Sequence, residues 1–401
     1  MANENLTKAK SAKNDEFYTQ YHDIEKEINA YLEYDPNVFE GKTILLPCDD
    51  PEWSNFTKFF AQNFERLKLK KLISTSYAPE SKKSSNYQPT LFEINDPKFD
   101  TKKSIVNGKI FTLTQDNTGD GKIDVNDLEW TYLEGDGDFR SKEIIELRNE
   151  ADIIITNPPF SLFREFLAWI VEADKKFVII GSMNAITYKE VFPLIKNNKM
   201  WLGSTKNGTD MVFAVPKDSM VAENDRQKAA KLGYIGDYTR LGNSVWFTNL
   251  DHGRRHQPLP LMTMADNIKF SKHKILKGKE YQKYDNYNAI EVPFTDSIPS
   301  DYEGVMGVPI SFLDKYNPDQ FEIVGLTAGR DEFECVPSKR YLNAIQHNLD
   351  GTISNGSKAN TRATIRLNEI PNDEIYYSAD NAKYPLQIVY ARILIKHKVS
   401  Q

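Results

Sequence analysis

"DIIITNPPFSLFREF", residues Asp152 to Phe166, runs an aliphatic strand into two consecutive prolines and then into an amphipathic helix. Neither proline carries a backbone N–H, and each restricts the residue before it to extended conformations. Asn157 is therefore held extended, with its side chain and the neighbouring carbonyls presented rather than taken up by pairing. Phe160 follows at the mouth of the junction, where an apolar ring gains little from folding. Beyond it Leu162, Phe163, Phe166, Leu167, Ile170 and Val171 mark one helix face, with Ser161 as the N-cap. A rigid strand-to-helix turn would account for the prolines alone. The aliphatic run before them and the ring after them mark a site.

Working outward, strand and helix signals alternate. "GKTILLPCDDP" (Gly41 to Pro51) is an apolar strand entering an acidic, proline-closed turn, and "LKLKKLISTSY" (Leu67 to Tyr77) is a strand ending in hydroxyl residues. "SKEIIELRNE" (Ser141 to Glu150) is a short helix, "KKFVIIGS" (Lys175 to Ser182) a further strand, and "SVWFTNL" (Ser244 to Leu250) the last strand of the sheet. A hairpin or small sheet insertion is expected within Gly108 to Phe139, where Gly and Asp mark the turns. Strands that read as continuous apolar runs predict an α/β sheet buried on both faces. In such a sheet ligands bind at the carboxyl ends of the strands. "PCDDP", "TSY" and "NPPF" all fall there.

Composition limits the alternatives. The chain has 401 residues, 40% of them hydrophobic and 12% aromatic, enough for two or three cored domains. No apolar run reaches the length of a membrane span, and the polar start "MANENLTKAKSAKNDEF" has no apolar segment of a secretory signal. Cys48 and Cys335 stand far apart, which argues against a disulfide framework or a thiolate zinc site and fits a reducing cytoplasm. The net charge of −6 does not advertise a nucleic-acid binder, although a chain average can hide a local basic face.

The chain resembles the adenine-specific DNA methyltransferases, and among them the EcoRI-type modification methylases. The resemblance rests on "KNDEFYTQ" (Lys13 to Gln20), "LLPCDDPEWSNF" (Leu45 to Phe56), "GDGDFRS" (Gly135 to Ser141) and "EADIIITNPPFSLFREF" (Glu150 to Phe166). It continues through Lys175 to Gly203, "VWFTNLDHGRR" (Val245 to Arg255) and Gly304 to Gly325. It implies a Rossmann-like, S-adenosylmethionine-dependent catalytic domain over residues 1–258 and a C-terminal target-recognition domain over 259–401. The final "YARILIKHK" strand would pack back on the latter. The implied activity is methyl transfer from S-adenosylmethionine to the N6 of an adenine within a specific site of double-stranded DNA. Such an enzyme serves a restriction-modification system, or protects DNA as an orphan or phage methylase. A monomer suffices, no membrane is involved, and a cognate endonuclease would act on the same site without contacting it.

The chemistry explains the residue types. A purine amino group is a poor nucleophile because its lone pair is delocalised into the ring. Acceptors placed against its two hydrogens, the Asn157 side-chain oxygen and the Pro158 carbonyl, favour a pyramidal nitrogen able to attack a methyl sulfonium. The base must leave the duplex stack to reach them, and Phe160 is the platform that receives it. The resemblance places Asp49 and Asp50 against the cofactor, Asp138 and Phe139 at its adenine ring, and Phe17, Tyr18 and Thr19 over its methionine portion. Two departures stand out. "PCDDPEWSNF" lacks the usual glycine-rich loop, and the second strand ends in Ser74, Thr75 and Ser76 rather than an acidic residue. Alternatively, Asp49 and Asp50 form a helix N-cap pair.

Two further stretches carry chemistry of their own. "DNTGDGKIDVND" matches a calcium loop at Asp116, Thr118, Asp120, Asp124 and Asp127, but has Asp rather than Glu at its twelfth position and no second loop to pair with. A hairpin turn is the plainer reading, and transfer from a sulfonium needs no metal. Near the C-terminal third, Arg254 and Arg255 precede Lys269, Lys272 and Lys274 in a run interleaved with Phe270, Tyr281, Tyr284 and Tyr287. Charge runs are usually solvated faces; beside a site that acts on a base, phosphate contact is the better reading. An RNA or protein-glutamine methyltransferase would show the same NPPF pocket, and a calcium-binding module would rest on Asp116 to Asp127 alone.

Overall fold

Four aliphatic runs become parallel neighbours at the centre of the first of two structural units. The computed structural model describes residues 17–47, 49, 54–78, 96–205, 211–215, 221–328 and 335–398. The chain opens with β1 (Tyr18–Thr19), helix α1 (Tyr21–Tyr34), β2 (Thr43–Leu46), helix α2 (Asn55–Gln62) and β3 (Lys71–Ser76). Strands β4 (Lys109–Leu113) and β5 (Glu129–Tyr132), helix α3 (Lys142–Glu150), β6 (Ile153–Thr156), helix α4 (Phe163–Glu172) and β7 (Lys176–Ser182) follow. Next come β8 (Trp201–Leu202), β9 (Val212–Ala214), helix α5 (Glu223–Lys231), β10 (Tyr238–Arg240) and β11 (Ser244–Thr248).

One eight-stranded sheet has the order β5-β4-β3-β2-β6-β7-β11-β8. Strand β2 lies parallel to β3 on one side and to β6 on the other, and β6 is parallel to β7. Strands β4 and β5 run antiparallel to their neighbours, and β11 runs antiparallel to β7. Every position of β2, β6 and β11 is buried, as their unbroken apolar runs require. From β2 the chain moves one way to β3; it re-enters at β6 and moves the other way to β7. In open α/β sheets such a reversal is where a crevice forms, here at the carboxyl ends of β2 and β6. A separate three-stranded sheet, β1-β9-β10, carries the segment around Tyr18.

The junction after β6 departs from the sequence reading in one detail. A single 3-10 turn, Phe160–Leu162, precedes α4, and Leu162 rather than Ser161 stands at the helix N-cap. Pro159 has φ −54°, a turn-compatible angle, and its carbonyl accepts the Leu162 N–H at 2.9 Å. This delay rotates the buried face, so that Trp169 joins Phe163, Phe166, Leu167 and Ile170 inside while Val171 is exposed. Gly181 of β7 allows the close approach: a Cβ there would lie 2.4 Å from the Phe163 ring.

The second unit comprises Asn184–Trp201 and Arg254–Gln401, whereas the first comprises Met1–Met183 and Leu202–Gly253. The chain thus passes between units after Met183, Trp201 and Gly253. A single boundary near residue 258 does not anticipate this, because nothing in the composition of 184–201 sets it apart. After helix α6 (Met264–Phe270), β12 (Ile290–Glu291), β13 (Met306–Pro309) and β14 (Phe321–Leu326) lead into β15 (Ile345–His347), β16 (Ile353–Asn355), β17 (Thr364–Arg366), β18 (Tyr376–Ser378), β19 (Leu386–Ile388) and β20 (Arg392–His397). A four-stranded sheet has the order β12-β13-β20-β14, and a five-stranded one β16-β15-β18-β19-β17. The "YARILIKHK" strand, β20, lies between β13 and β14. The short helix Phe192–Lys196 packs against β14.

Candidate active site at the strand ends

The floor of the crevice is tied together by Asp49. Its Oδ1 accepts the Ser54 hydroxyl at 2.7 Å, and its Oδ2 lies 2.5 Å from the Thr156 hydroxyl, which is also 2.8 Å from the Pro47 carbonyl. The Asp49 carbonyl accepts hydroxyls from Thr57 and Ser74. One buried carboxylate therefore joins the ends of β2 and β6 to the start of α2. The helix N-cap is Ser54, whose Oγ accepts the Phe56 N–H, and not an acidic pair. Asp50 lies outside the described residues.

Over the end of β3 folds the "GDGDF" loop. Asp136 accepts the Ala78 N–H through its carbonyl at 2.8 Å. Gly137 has φ +88°, and a Cβ on it would stand 2.4 Å from the Ser76 carbonyl oxygen, so both conformation and proximity require glycine. The Asp138 carboxylate is gripped by Arg140, which donates from Nε at 2.9 Å and Nη2 at 2.6 Å. That guanidinium holds the Asp138 carboxyl below its ordinary value. Phe139 has its ring 5.2 Å from Phe166 and 5.7 Å from Trp169 and is fully buried. The face that the resemblance assigns to the cofactor's adenine is here packed into the core.

Asn157 stands just past β6. Its Nδ2 donates to the Phe17 carbonyl at 2.7 Å, while its Oδ1 is buried with no hydrogen-bond partner among the described residues. Pro158 beside it is buried. The Phe160 ring is stacked on Phe17, centroids 5.4 Å apart and planes 29° from parallel, and Phe17 meets Phe213 edge-on at 5.9 Å. Tyr18 and Thr19 pair with Ala214 and Phe213 of β9, and the Thr19 carbonyl accepts Asn55 Nδ2 at 2.7 Å. Thr19 Oγ1 is also buried without a partner among the described residues. Phe17, Asn157 and Phe160 are thus brought together, with Asp49 beneath the same strand ends and Asp138 at the end of β3. Sequence reading missed Thr156, Arg140 and Phe213. Thr156 and Arg140 sit one and two residues from residues it singled out, whereas nothing local marks Phe213.

The basic residues of the second unit divide into two groups. Arg254 is paired with Asp314, and Arg255 is buried against the Trp201 ring at 3.7 Å and bonded to Asn198. Both guanidinia have intramolecular work. Lys269 and Lys274 are exposed, Lys269 lying 4.9 Å over the exposed Phe270 ring, and Lys272 is paired with Asp296 at 2.8 Å. Tyr284 and Tyr287 are buried and belong to the core rather than to a stacking surface, while the half-buried Tyr281 donates its hydroxyl to the Ser297 carbonyl.

The loop at Asp116 to Asp127 closes on its own backbone. Asp127 accepts N–H groups of Asn117, Thr118 and Asp124, and Asp116 accepts those of Gly119 and Gly121. No group of three metal-ligating side chains occurs among the described residues. No helix among them is long and apolar enough to cross a membrane.

Residues 5–398 match a family model described as adenine-specific methyltransferase EcoRI. The chain is 43% identical to the Type II methyltransferase M.EcoRI of Escherichia coli over 331 residues, 82% of this chain and 91% of that one. It is 36% identical to the Type II methyltransferase M.MgeORF184P of Mycoplasma genitalium over 91% of this chain and 99% of that one. With the Type II methyltransferase M.MpnI of Mycoplasma pneumoniae the identity is 35% over 80% of this chain and 86% of that one. No solved structure matches the chain.

Proposed function

The chain belongs to the EcoRI family of adenine-specific methyltransferases, and from that premise we propose how its strand-end residues carry out the reaction. It is an enzyme, a DNA adenine methyltransferase of the restriction-modification type. The finer reading is a Rossmann-like domain that binds S-adenosylmethionine in the crevice between β2 and β6 and methylates N6 of an adenine flipped out of duplex DNA. The polar groups fit such a cofactor: Thr19 Oγ1 is buried without a partner among the described residues, and Asp138, paired with Arg140, presents an acceptor carboxylate at the end of β3. Asp49 acts from beneath, as the residue that fixes the strand ends. Bound there, S-adenosylmethionine supplies an electrophilic methyl group on a sulfonium centre.

The observation that carries this reading is the Asn157 amide. A buried oxygen with no hydrogen bond costs stability and calls for an explanation. Here the explanation is an acceptor kept open for the adenine amino group, its orientation fixed in advance because Nδ2 is already committed to the Phe17 carbonyl. The Pro158 carbonyl is the second acceptor, and Phe160 supplies the apolar face for the base. The second unit, with its exposed lysines, recognises the DNA around the site.

The test is methyl transfer from labelled S-adenosylmethionine to duplex DNA, with sequencing that reads N6-methyladenine to find the target. Wild-type protein should mark one sequence context. Asn157→Ala should lower turnover by about a hundredfold or more, as loss of one preorganised polar group does, and leave donor and DNA affinity nearly unchanged. Its stability should change little, since one hydrogen bond and one orphaned oxygen disappear together. Normal turnover in that variant would remove Asn157 from the mechanism.

A further inference from the structure

The Phe17 ring covers the surface that the preceding reading assigns to the substrate base. Its centroid is 5.4 Å from that of Phe160, in a stacked arrangement. A planar base between two rings needs two van der Waals gaps of about 3.5 Å, or about 7 Å in all. Adenine therefore cannot slip between them as they stand. We propose that Phe17 is a placeholder: its ring occupies the Phe160 face in the free enzyme and is displaced by the incoming adenine.

The backbone makes this exchange feasible without disturbing the acceptor. Asn157 is held by the carbonyl of Phe17, not by its ring. That carbonyl is secured in turn by the pairing of Tyr18 and Thr19 with β9 and by the Asn55 bond to Thr19. The ring can rotate about its own side-chain torsions while the carbonyl keeps the Asn157 amide oriented. In the free enzyme the ring covers the apolar face of Phe160, and Asn157 Oδ1 is buried nearby. When the base arrives, one aromatic contact on Phe160 is exchanged for another, so the net gain from flipping is smaller than stacking alone would give. Phe17 is a positioning and selectivity residue in this scheme, since only a flat base that replaces its stacking on Phe160 repays the displacement.

This inference rests on the base-flipping reading, and the experiment separates the two. Full-length protein is titrated with a duplex carrying the target adenine and with one abasic at that position. A third duplex, with 2-aminopurine at the target, reports extrusion by fluorescence. Only a base has to displace the ring. Phe17→Ala, and Phe17→Leu, which keeps apolar volume without a flat face, should lower the ratio of the adenine to the abasic dissociation constant. The expected fall is roughly two- to tenfold, the worth of one aromatic pair, with a matching rise in 2-aminopurine signal. An unchanged ratio in the folded Leu variant would overturn the proposal, and so would an increase, which would make Phe17 a second stacking face. Phe160→Ala is the control for the underlying reading. Its readout is the 2-aminopurine signal, because the adenine-to-abasic ratio loses both stacking partners at once; if the target 2-aminopurine gives no rise on binding to wild-type protein, the flipped-base assignment itself fails.

Discussion

Asp138 and Arg140 show how a single ion pair can be read only once the loop is folded. The sequence marks Asp138 as a ligand carboxylate, yet its oxygens are met first by a guanidinium two residues on. The folded carboxyl titrates below its ordinary value because of that pairing. A carboxyl with a depressed folded value adds stability that is present above its unfolded value, about 3.9, and is lost as pH falls through the folded value. Arg140→Gln should therefore melt earlier than wild type at neutral pH, and the difference should begin to shrink below about pH 4 as pH falls toward the lowered folded value. Thermal melts at pH 7 and pH 3 would check this; a constant gap would mean that Arg140 acts through its contact with the Phe139 ring instead. The strand-to-turn junction that carries Asn157 and Phe160 was legible because proline chemistry is local. Of the two rings that surround them, Phe17 was marked only through the resemblance and in another role, and Phe213, distant in sequence, leaves no local trace.

At the scale of elements, the parallel strands and their order of appearance follow from unbroken aliphatic runs, and β2, β3, β6, β7 and β11 lie where those runs predict. What the runs do not reveal is which strands become neighbours, and so the crevice between β2 and β6 emerges only from the topology. The offset start of α4 was equally hidden, since a 3-10 turn and an α-helix share the same residue types. Gly181 is the point where this helix meets the sheet. Gly181→Ala should force the Phe163 ring away and cost about 1–3 kcal/mol. Activity should fall further than stability, because α4 continues directly from Phe160. A variant that melts and turns over like wild type would show that the ring has room to move.

Across the whole molecule, a formally acidic chain must hold DNA through a local surface. Lys269, Lys274, Lys277 and Lys279 are exposed around α6 and the turn after it. Each one that touches phosphate should contribute a slope of about 0.9 in log affinity against log salt. Replacing the four with Gln should flatten that dependence and weaken all duplexes alike. Arg254→Ala, which takes one partner from Asp314, should instead destabilise the protein by at least about 1–3 kcal/mol. An intact salt slope in the lysine variant would place the DNA grip on another surface. Charge runs were visible in the sequence, but their division into anchored arginines and solvated lysines depends on Trp201, Asn198 and Asp314, which lie up to about sixty residues away.

The three passages of the chain between its units also have a consequence on the ribosome. Strand β7 ends at Ser182, but its antiparallel partner β11 begins only at Ser244. At about 5–20 residues per second, roughly 3–12 s of translation separate the two. Within that interval the segment Asn184–Trp201 is made, while the residues from Arg254 onward that complete its unit have yet to be synthesised. Ile186, Val191, Phe192 and Ile195, all buried in the finished protein, are then exposed together. The nascent chain should present a chaperone-binding stretch there, and its release should await synthesis of β14, against which Phe192–Lys196 finally packs.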